Sequence, residues 1–361
     1  MSAMDLLLLD SEDVAWFRDE LTGARGAAAA LARRVGFDEQ RAADVALAVS
    51  ETATNLTKHA VDGAMLLRVV RTEHEAGVEV VAVDSGPGIA DVGAALRDGM
   101  STTGTLGIGL GAVRRLADVF DLHSLPGRGT VLAARFWPGN RGPRGAGEPD
   151  GPRGPGEPVV AGLTRAISGE RVCGDAWAAR LDPPGSAGSA GGGSGPALML
   201  MMCDGLGHGP MAALASEGAV RAFRHSRART PELAVQDVHL ALRGTRGAAV
   251  AVARIEPEAN RLTFCGIGNI AAVLVQADER TSLLSFPGIV GHQMRGLRTF
   301  EQPLPPHGAL VMHSDGLTDR WNPADLPGLL QHSPVVVAAH LLRHAGVRRD
   351  DAGVVVAKGL W

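Results

Sequence analysis

From Gly139 to Pro158 the chain is almost entirely Gly, Pro, Arg and Glu, and GPRGAGEP at 142–149 is nearly repeated as GPRGPGEP at 151–158. Glycine keeps no strict period of three, so a collagen helix is excluded. A stretch with so little apolar surface cannot offset the entropy of ordering, which predicts a tether between domains. For roughly 20 residues the root-mean-square reach is about 25 Å. The chain therefore divides into a domain at 1–138, a linker at 139–158 and a domain at 159–361, each long enough for its own core.

Composition excludes several classes of protein. The 361 residues are 45% hydrophobic and 20% charged, an ordinary globular balance, and the net charge of -4 gives no sign of a nucleic-acid partner. No apolar run approaches the roughly 18 residues that span a bilayer, so no membrane partner is expected. Leu6–Leu9 has no basic segment before it and does not read as a signal peptide. Cys173, Cys203 and Cys265 are widely separated and form no CxxC pair, which fits a reducing cytoplasm and not a disulfide framework or a zinc site.

A second low-complexity stretch, PPGSAGSAGGGSGP at 183–196, lies between two strand-like runs at 176–181 and 197–203. It reads as a long hairpin loop inside the second domain.

In the first domain, residues 38–60 form a helix pattern: Asp38 can cap it, alanine is frequent and neither Gly nor Pro interrupts it. Glu51, Asn55 and His59 fall at i, i+4 and i+8 and share one face, a pattern that solvation alone would also explain. The valine-rich run at 78–83 reads as a buried strand and ends in DSGPGI at 84–89. Residues 101–116, STTGTLGIGLGAVRRL, place Gly104, Gly107, Gly109 and Gly111 at the opening of a helix, where backbone N–H groups suit a triphosphate. SLPGRGT at 124–130 then leads into a strand at 131–136.

These four blocks, in this order, resemble the GHKL-type ATPase family in its branch of compact anti-sigma factors and switch serine kinases (RsbW/RsbT-like). The resemblance covers about 5–137 and implies an α/β sandwich that binds ATP with Mg²⁺. It implies that Asn55 holds the Mg²⁺ and that Glu51 accepts the proton of an attacking hydroxyl. It further implies that Asp84 bonds the adenine amino group and that Gly86 and Gly88 admit the base. Gly107, Gly109, Leu110 and Thr130 would complete the nucleotide site. No phospho-accepting histidine helix precedes the domain, which argues against a sensor histidine kinase.

In the second domain the informative residues are aspartates at strand ends: Asp175 in CGDAW, Asp204 in MCDGLGHGPMAALAS, Asp315 in HSDGL and Asp350-Asp351 in RDDAGVVV. Singly, each Asp-Gly is an ordinary turn. Together they put several carboxylates against buried strands, where divalent cations with oxygen ligands supply the missing compensation. With GIGNI at 266–270, these blocks resemble the protein phosphatase 2C superfamily in its SpoIIE/RsbX-type branch, over about 159–358. That implies a β-sandwich flanked by helices, with two Mn²⁺ or Mg²⁺ ions held by Asp175, Asp204, the Gly205 carbonyl, Asp315 and Asp350. Which of Asp350 and Asp351 ligates is open. Relatives often carry Thr where this chain has Gly353, and that difference is expected to alter turn stiffness more than coordination. His208 reads as a turn residue. Two-metal hydrolysis attacks phosphorus with water directly and needs no nucleophilic cysteine, so Cys173 and Cys203 read as small buried residues.

The whole is expected to be an α+β protein. The combined resemblance implies a partner-switching regulator with opposed kinase and phosphatase activities on a STAS-type antagonist, in a pathway that can include a sigma factor. A homodimer is left open. The rival expectation keeps the phosphatase and makes the first domain a nucleotide-dependent binding module. Glu51 separates the two, because binding alone does not require it.

Overall fold

A computed structural model describes residues 10–18, 20–72, 74–96, 109–139, 158–182, 196–277, 279–294, 296–347 and 349–359. The expected tether and most of the 183–196 loop lie outside these. Two compact units separate: Leu9–Pro158 together with Gln331–Arg343, and Val159–Leu330 together with His344–Trp361. Helices and sheets mix in both, and no helix among the described residues is long and apolar enough to cross a membrane.

The N-terminal unit runs β1 (Asp10–Phe17), α1 (Ala24–Arg34), α2 (Glu39–His59), β2 (Ala64–Arg71), β3 (Ala76–Val83), a single turn α3 (Val92–Ala95), α4 (Gly109–Leu116), β4 (Val119–Ser124) and β5 (Thr130–Phe136). The strands form one antiparallel sheet in the order β1-β2-β3-β5-β4. Helix α2 starts where the sequence indicated: the Asp38 side chain accepts a hydrogen bond from the Arg41 N–H at 2.7 Å.

The period of two along the strands divides the sheet into two faces. Met65, Leu67 and Val69, Val78 and Val80, and Leu132, Ala134 and Phe136 point to the face covered by α1 and α2, whose Leu31, Val45, Val49 and Leu56 join the same core. Burying side chains of this size contributes about 1.5–3 kcal/mol each. On the opposite face Arg68, Glu79 and Arg135 stand in register across β2, β3 and β5, all buried. Arg68 Nε donates to Glu79 Oε2 at 2.6 Å, and Arg135 Nη2 donates to Glu79 Oε1 at 2.6 Å. Buried Arg41 ties α2 to its neighbours through Asp118 Oδ2 and the Leu116 carbonyl, which fixes the helix carrying Glu51 and Asn55.

The C-terminal unit contains β6 (Val160–Arg165), β7 (Asp175–Asp182), β8 (Ala197–Gly205), α5 (Pro210–His225), α6 (Pro231–Ala241), β9 (Ala248–Glu256), β10 (Arg261–Ile267), β11 (Ala271–Gln276), β12 (Glu279–Leu283), β13 (Phe300–Pro303), β14 (Ala309–His313) and β15 (Ala352–Lys358). Between β14 and β15 lies α7 (Pro334–His344), which up to Arg343 belongs to the N-terminal unit.

Two antiparallel five-stranded sheets result, β13-β10-β9-β8-β7 and β12-β11-β14-β15-β6. The apolar run in β8 is explained by burial on both faces. Leu198, Leu200 and Met202 meet Leu310, Met312 and Val355 of the other sheet, while Met199, Met201 and Cys203 meet Ala219, Phe223, Val235 and Val238 of α5 and α6. Strands β7 and β8 pair antiparallel on either side of the 183–196 segment, as a hairpin requires.

Candidate functional site

In the C-terminal unit, antiparallel pairing carries the strand-end aspartates to one end of the sandwich. Asp175 opens β7 and lies directly opposite Asp204 near the close of β8. Strand β14 runs out into Ser314-Asp315, and its neighbour β15 is entered from Asp350-Asp351.

The acids stress one another. Burial and then the charge of Asp204 push the Asp175 carboxyl well above its ordinary range, although Ser314 opposes the shift. Burial, then Asp315 and Asp350, push Asp204 up to about 7, despite a hydrogen bond between its side chain and Asp175. Burial and Asp350 raise Asp315 as well. The largest influences on these groups include no basic side chain. Among the described residues, no three His, Cys, Asp or Glu side chains already form a metal cage. A dense set of hard oxygen donors whose negative charge is not neutralised nevertheless fits divalent cations, which would supply the missing positive charge.

The two adjacent acids at the entry to β15 divide their work. Asp351 is buried, and its carboxylate accepts from the Ile167 N–H at 2.7 Å and the Gly174 N–H at 2.8 Å. It therefore clamps the loop that delivers Asp175. Asp350, half-buried, accepts from the next backbone N–H at 2.9 Å, its one hydrogen bond among the described residues, and acts electrostatically on Asp204 and Asp315, so its carboxylate could still take a cation.

Two contributors went unread in the sequence. Ser314 Oγ donates to Asp175 Oδ2 at 2.6 Å and accepts from the Gly353 N–H at 2.9 Å. Asn269 Nδ2 donates to Asp315 Oδ2 at 2.6 Å. Both residues sit inside blocks that the sequence singled out, but their partners lie 139 and 46 positions away.

The expectation for Gly353 needs correction. It lies within β15, not in a turn, and a Cβ there would collide with the Met202 methyl and come 3.1 Å from Asp175 Cβ. The glycine makes room for a candidate ligand. His208 is exposed, with Nδ1 3.2 Å from Glu170 Oε1. Burial raises the Cys173 and Cys203 thiols, which leaves neither a ready nucleophile.

In the N-terminal unit, Glu51 and Asn55 are half-buried on α2, and Asn55 Nδ2 is buried with no hydrogen-bond partner among the described residues. Asp84 follows the end of β3, and its Oδ1 accepts from the Gly86 N–H at 2.6 Å. Burial raises its carboxyl, against backbone hydrogen bonds from Gly86 and Thr130 and the charge of Arg343.

Two of the glycine-containing blocks close on each other. The Ile89 N–H donates to Ser124 Oγ at 2.8 Å, the Gly127 N–H donates to the Pro87 carbonyl at 2.7 Å, and Thr130 Oγ1 lies 2.9 Å from Ser124 Oγ. Gly88 has φ +69°, and a Cβ there would collide with the Leu125 carbonyl oxygen, so the protein's own packing requires a glycine here. At Gly86 the corresponding space is bounded by Asp84 Oδ1 and the His59 carbonyl. Gly109 and Leu110 open α4, while Gly107 lies outside the described residues. An amide on α2 with no partner among the described residues, a buried carboxylate after β3 and the N-terminus of α4 are donors and acceptors of the kind that a nucleotide with its cation requires.

Comparison with known proteins separates the same two halves. The family model described as the histidine kinase-like ATPase domain matches residues 18–136, and that of stage II sporulation protein E (SpoIIE) matches residues 194–358. The serine/threonine-protein kinase RsbT of Bacillus subtilis (strain 168) is 36% identical over 118 residues, which are 33% of this chain and 89% of the relative. The phosphoserine phosphatase RsbX of the same organism is 21% identical over 193 residues, 53% of this chain and 89% of the relative. An anti-sigma F factor of Caldanaerobacter subterraneus subsp. tengcongensis is 30% identical over 115 residues, 30% of this chain and 79% of the relative. These matches give a partner-switching architecture, a kinase-like or anti-sigma-like half joined to a phosphatase domain of the 2C type. The chain belongs to the RsbT/RsbW-like histidine kinase-like ATPases through its first half and to the SpoIIE-type phosphatases through its second.

Proposed function

We propose that this protein sets the phosphorylation state of a small STAS-type antagonist, adding phosphate with its N-terminal half and removing it with its C-terminal half, in a cytoplasmic pathway that controls a sigma factor or a comparable regulator. The observation that supports the reading is the cluster of Asp175, Asp204, Asp315 and Asp350, in which burial and neighbouring acids raise the carboxyls of Asp175, Asp204 and Asp315.

These four carboxylates, with the Gly205 carbonyl, would hold two Mn²⁺ or Mg²⁺ ions. Bound there, the ions would supply an activated water and polarise the phosphate oxygens of phosphoserine or phosphothreonine. Ser314 and Asn269 aim Asp175 and Asp315, and Asp351 keeps the Gly174-Asp175 loop in place. Such partners outside the ligand set typically matter 10–100-fold for affinity or activity.

In the N-terminal half, Asn55 would hold Mg²⁺ on the triphosphate and Asp84 would read adenine, with Gly109, Leu110 and Thr130 around the phosphates. Glu51 would take the proton of the substrate hydroxyl as its oxygen bonds to the γ-phosphorus and ADP leaves.

The test uses purified full-length protein. With Mn²⁺ it should hydrolyse p-nitrophenyl phosphate, and with ATP and Mg²⁺ it should label STAS-domain antagonists on serine or threonine. Glu51→Gln should bind ATP and transfer nothing. A wild-type protein that binds ATP yet labels none of these antagonists has a nucleotide-dependent binding module in place of a kinase.

A further inference from the structure

The two ends of the sheet β13-β10-β9-β8-β7 treat their charges differently. At the end away from the acid cluster, acids and arginines pair off. Arg254 Nη1 meets Asp182 at 2.7 Å, Arg180 Nη1 meets the same acid at 3.1 Å, and Arg261 Nη2 meets Glu256 at 2.9 Å. The end that carries Asp175 and Asp204 also has an arginine, Arg246. It is exposed, and among the described residues it makes no hydrogen bond or ion pair, with Asp175, Asp204, Asp315 and Asp350 or with any other group.

The register that delivers Asp204 also delivers Arg246. Asp204 stands opposite Ala249 and Gly205 opposite Ala248, so β9 enters the sheet where β8 leaves it. The pairing continues past both strands, because the Leu206 N–H donates to the Gly247 carbonyl at 3.0 Å. One residue further along each segment, Arg246 meets Gly207: a Cβ on that glycine, which has φ +85°, would come 3.1 Å from Arg246 Nη1. The Gly207 carbonyl oxygen in turn lies 3.4 Å from where a Cβ on Gly174 would be, and the Gly174 carbonyl accepts from the Gly205 N–H at 3.0 Å. The guanidinium therefore lies on the loop that follows Asp204, and that loop borders the one that precedes Asp175.

The backbone around Arg246 is braced although its side chain is not. Thr245 Oγ1 donates to the Leu242 carbonyl at 2.7 Å and accepts from the Gly247 N–H at 3.0 Å, and His292 Nε2 lies 2.9 Å from the Thr245 carbonyl oxygen. Fixing the chain on both sides of a long side chain limits where its guanidinium can reach, as a binding group requires.

We propose that Arg246 is a substrate-binding residue of the phosphatase half, whose guanidinium grips two oxygens of the phosphate to be removed. This rests on the reading of the acid cluster as a phosphatase site. An arginine paired with the acids would be their counter-ion and would take the place of the cations. Standing off from them on the bordering loop, Arg246 leaves room for a phosphate between itself and the acids. The planar fork matches two phosphate oxygens, stays charged throughout the working pH range, and selects a phosphomonoester dianion over a neutral ester.

The experiment compares full-length wild type, Arg246→Ala, Arg246→Lys and Arg243→Ala with saturating Mn²⁺. It measures p-nitrophenyl phosphate kinetics and, by calorimetry, orthophosphate binding. Arg243 is also exposed, and its loss controls for surface charge alone. Arg246→Ala should raise KM and weaken orthophosphate binding by about 10-fold or more each, with the midpoint of Mn²⁺ activation unchanged. Arg246→Lys, which keeps the charge and loses the fork, should fall between that variant and wild type. Arg243→Ala should match wild type in both measurements. Wild-type KM and orthophosphate affinity in Arg246→Ala would overturn the proposal and spare the phosphatase reading. Equal losses in Arg246→Ala and Arg243→Ala would also overturn it, because diffuse surface charge would then account for both. Wild-type protein that hydrolyses no phosphomonoester with Mn²⁺ overturns the phosphatase reading and this proposal together. Should Arg246→Ala fail to fold, Arg246→Lys decides: weaker orthophosphate binding supports the contact, and wild-type binding refutes it.

Discussion

Each half of the molecule buries a cluster of charge, and the two clusters are solved in opposite ways. In the N-terminal sheet, burial alone would raise the Glu79 carboxyl, but Arg68 and Arg135 on the flanking strands outweigh it and hold that group below its ordinary range. At the end of the C-terminal sandwich, Asp175, Asp204 and Asp315 are all raised, with further acids as their main charged neighbours. The first cluster is finished by the fold and reads as structure. The second is left open by the fold and reads as a site, because a protein that keeps like charges together without relief does so for something it binds.

The contrast can be broken most decisively at Asp204. Asp204→Asn should lower Mn²⁺-dependent hydrolysis of p-nitrophenyl phosphate by more than about 100-fold, beyond the range seen for outer partners of metal ligands. In metal-free protein the same change should raise the melting temperature, since it removes a member of a repelling set. Undiminished turnover would take Asp204 out of the site. Glu79→Ala should do the reverse, costing about 3–5 kcal/mol in denaturant unfolding because two buried arginines lose their shared partner. A cost under about 1 kcal/mol, the range of a surface ion pair, would show that the triad is not holding the sheet.

Smaller effects sharpen the picture. Ser314→Ala and Asn269→Ala should each weaken Mn²⁺ activation by about 10–100-fold, with stability little changed. Equal activation curves would reduce both hydrogen bonds to incidental contacts.

The two clusters should also respond oppositely to pH. Glu79 is lowered in the folded state, so its contribution is present above the unfolded carboxyl range and is lost as pH falls through its folded value. Asp204 is raised to about 7, so its contribution is present at low pH and is lost as pH rises toward 7. Melting curves of metal-free protein between about pH 4 and 8 should therefore decline on the alkaline side, and saturating Mn²⁺ should remove that decline. A decline that persists with Mn²⁺ would place its origin outside the acid cluster.

Much of this is legible in the linear sequence. A carboxylate at the end of an apolar strand, or a glycine set opening a helix, is a local pattern that needs no distant neighbour to be recognised. The capped helix at 38–60, the strand at 78–83 and the aspartates at 175, 204 and 315 all stand where the sequence indicated. The division of labour between Asp350 and Asp351 is not legible there, since adjacent acids differ only in what they meet. One bonds Ile167 and Gly174, 184 and 177 positions away, while the other faces Asp315.

The sequence alone thus indicated which chemistries are present: glycine-containing boxes in the first half and strand-end acids in the second. Only the tertiary structure decided which of those groups are already satisfied. It paired Glu79 with two arginines, gave Asp175 the Ser314 hydroxyl, left Arg246 without an ion pair among the described residues and set α7 in the unit that carries Asp84. The physical reason is that satisfaction of a buried polar group depends on neighbours brought together from distant parts of the chain, and no local spacing encodes them.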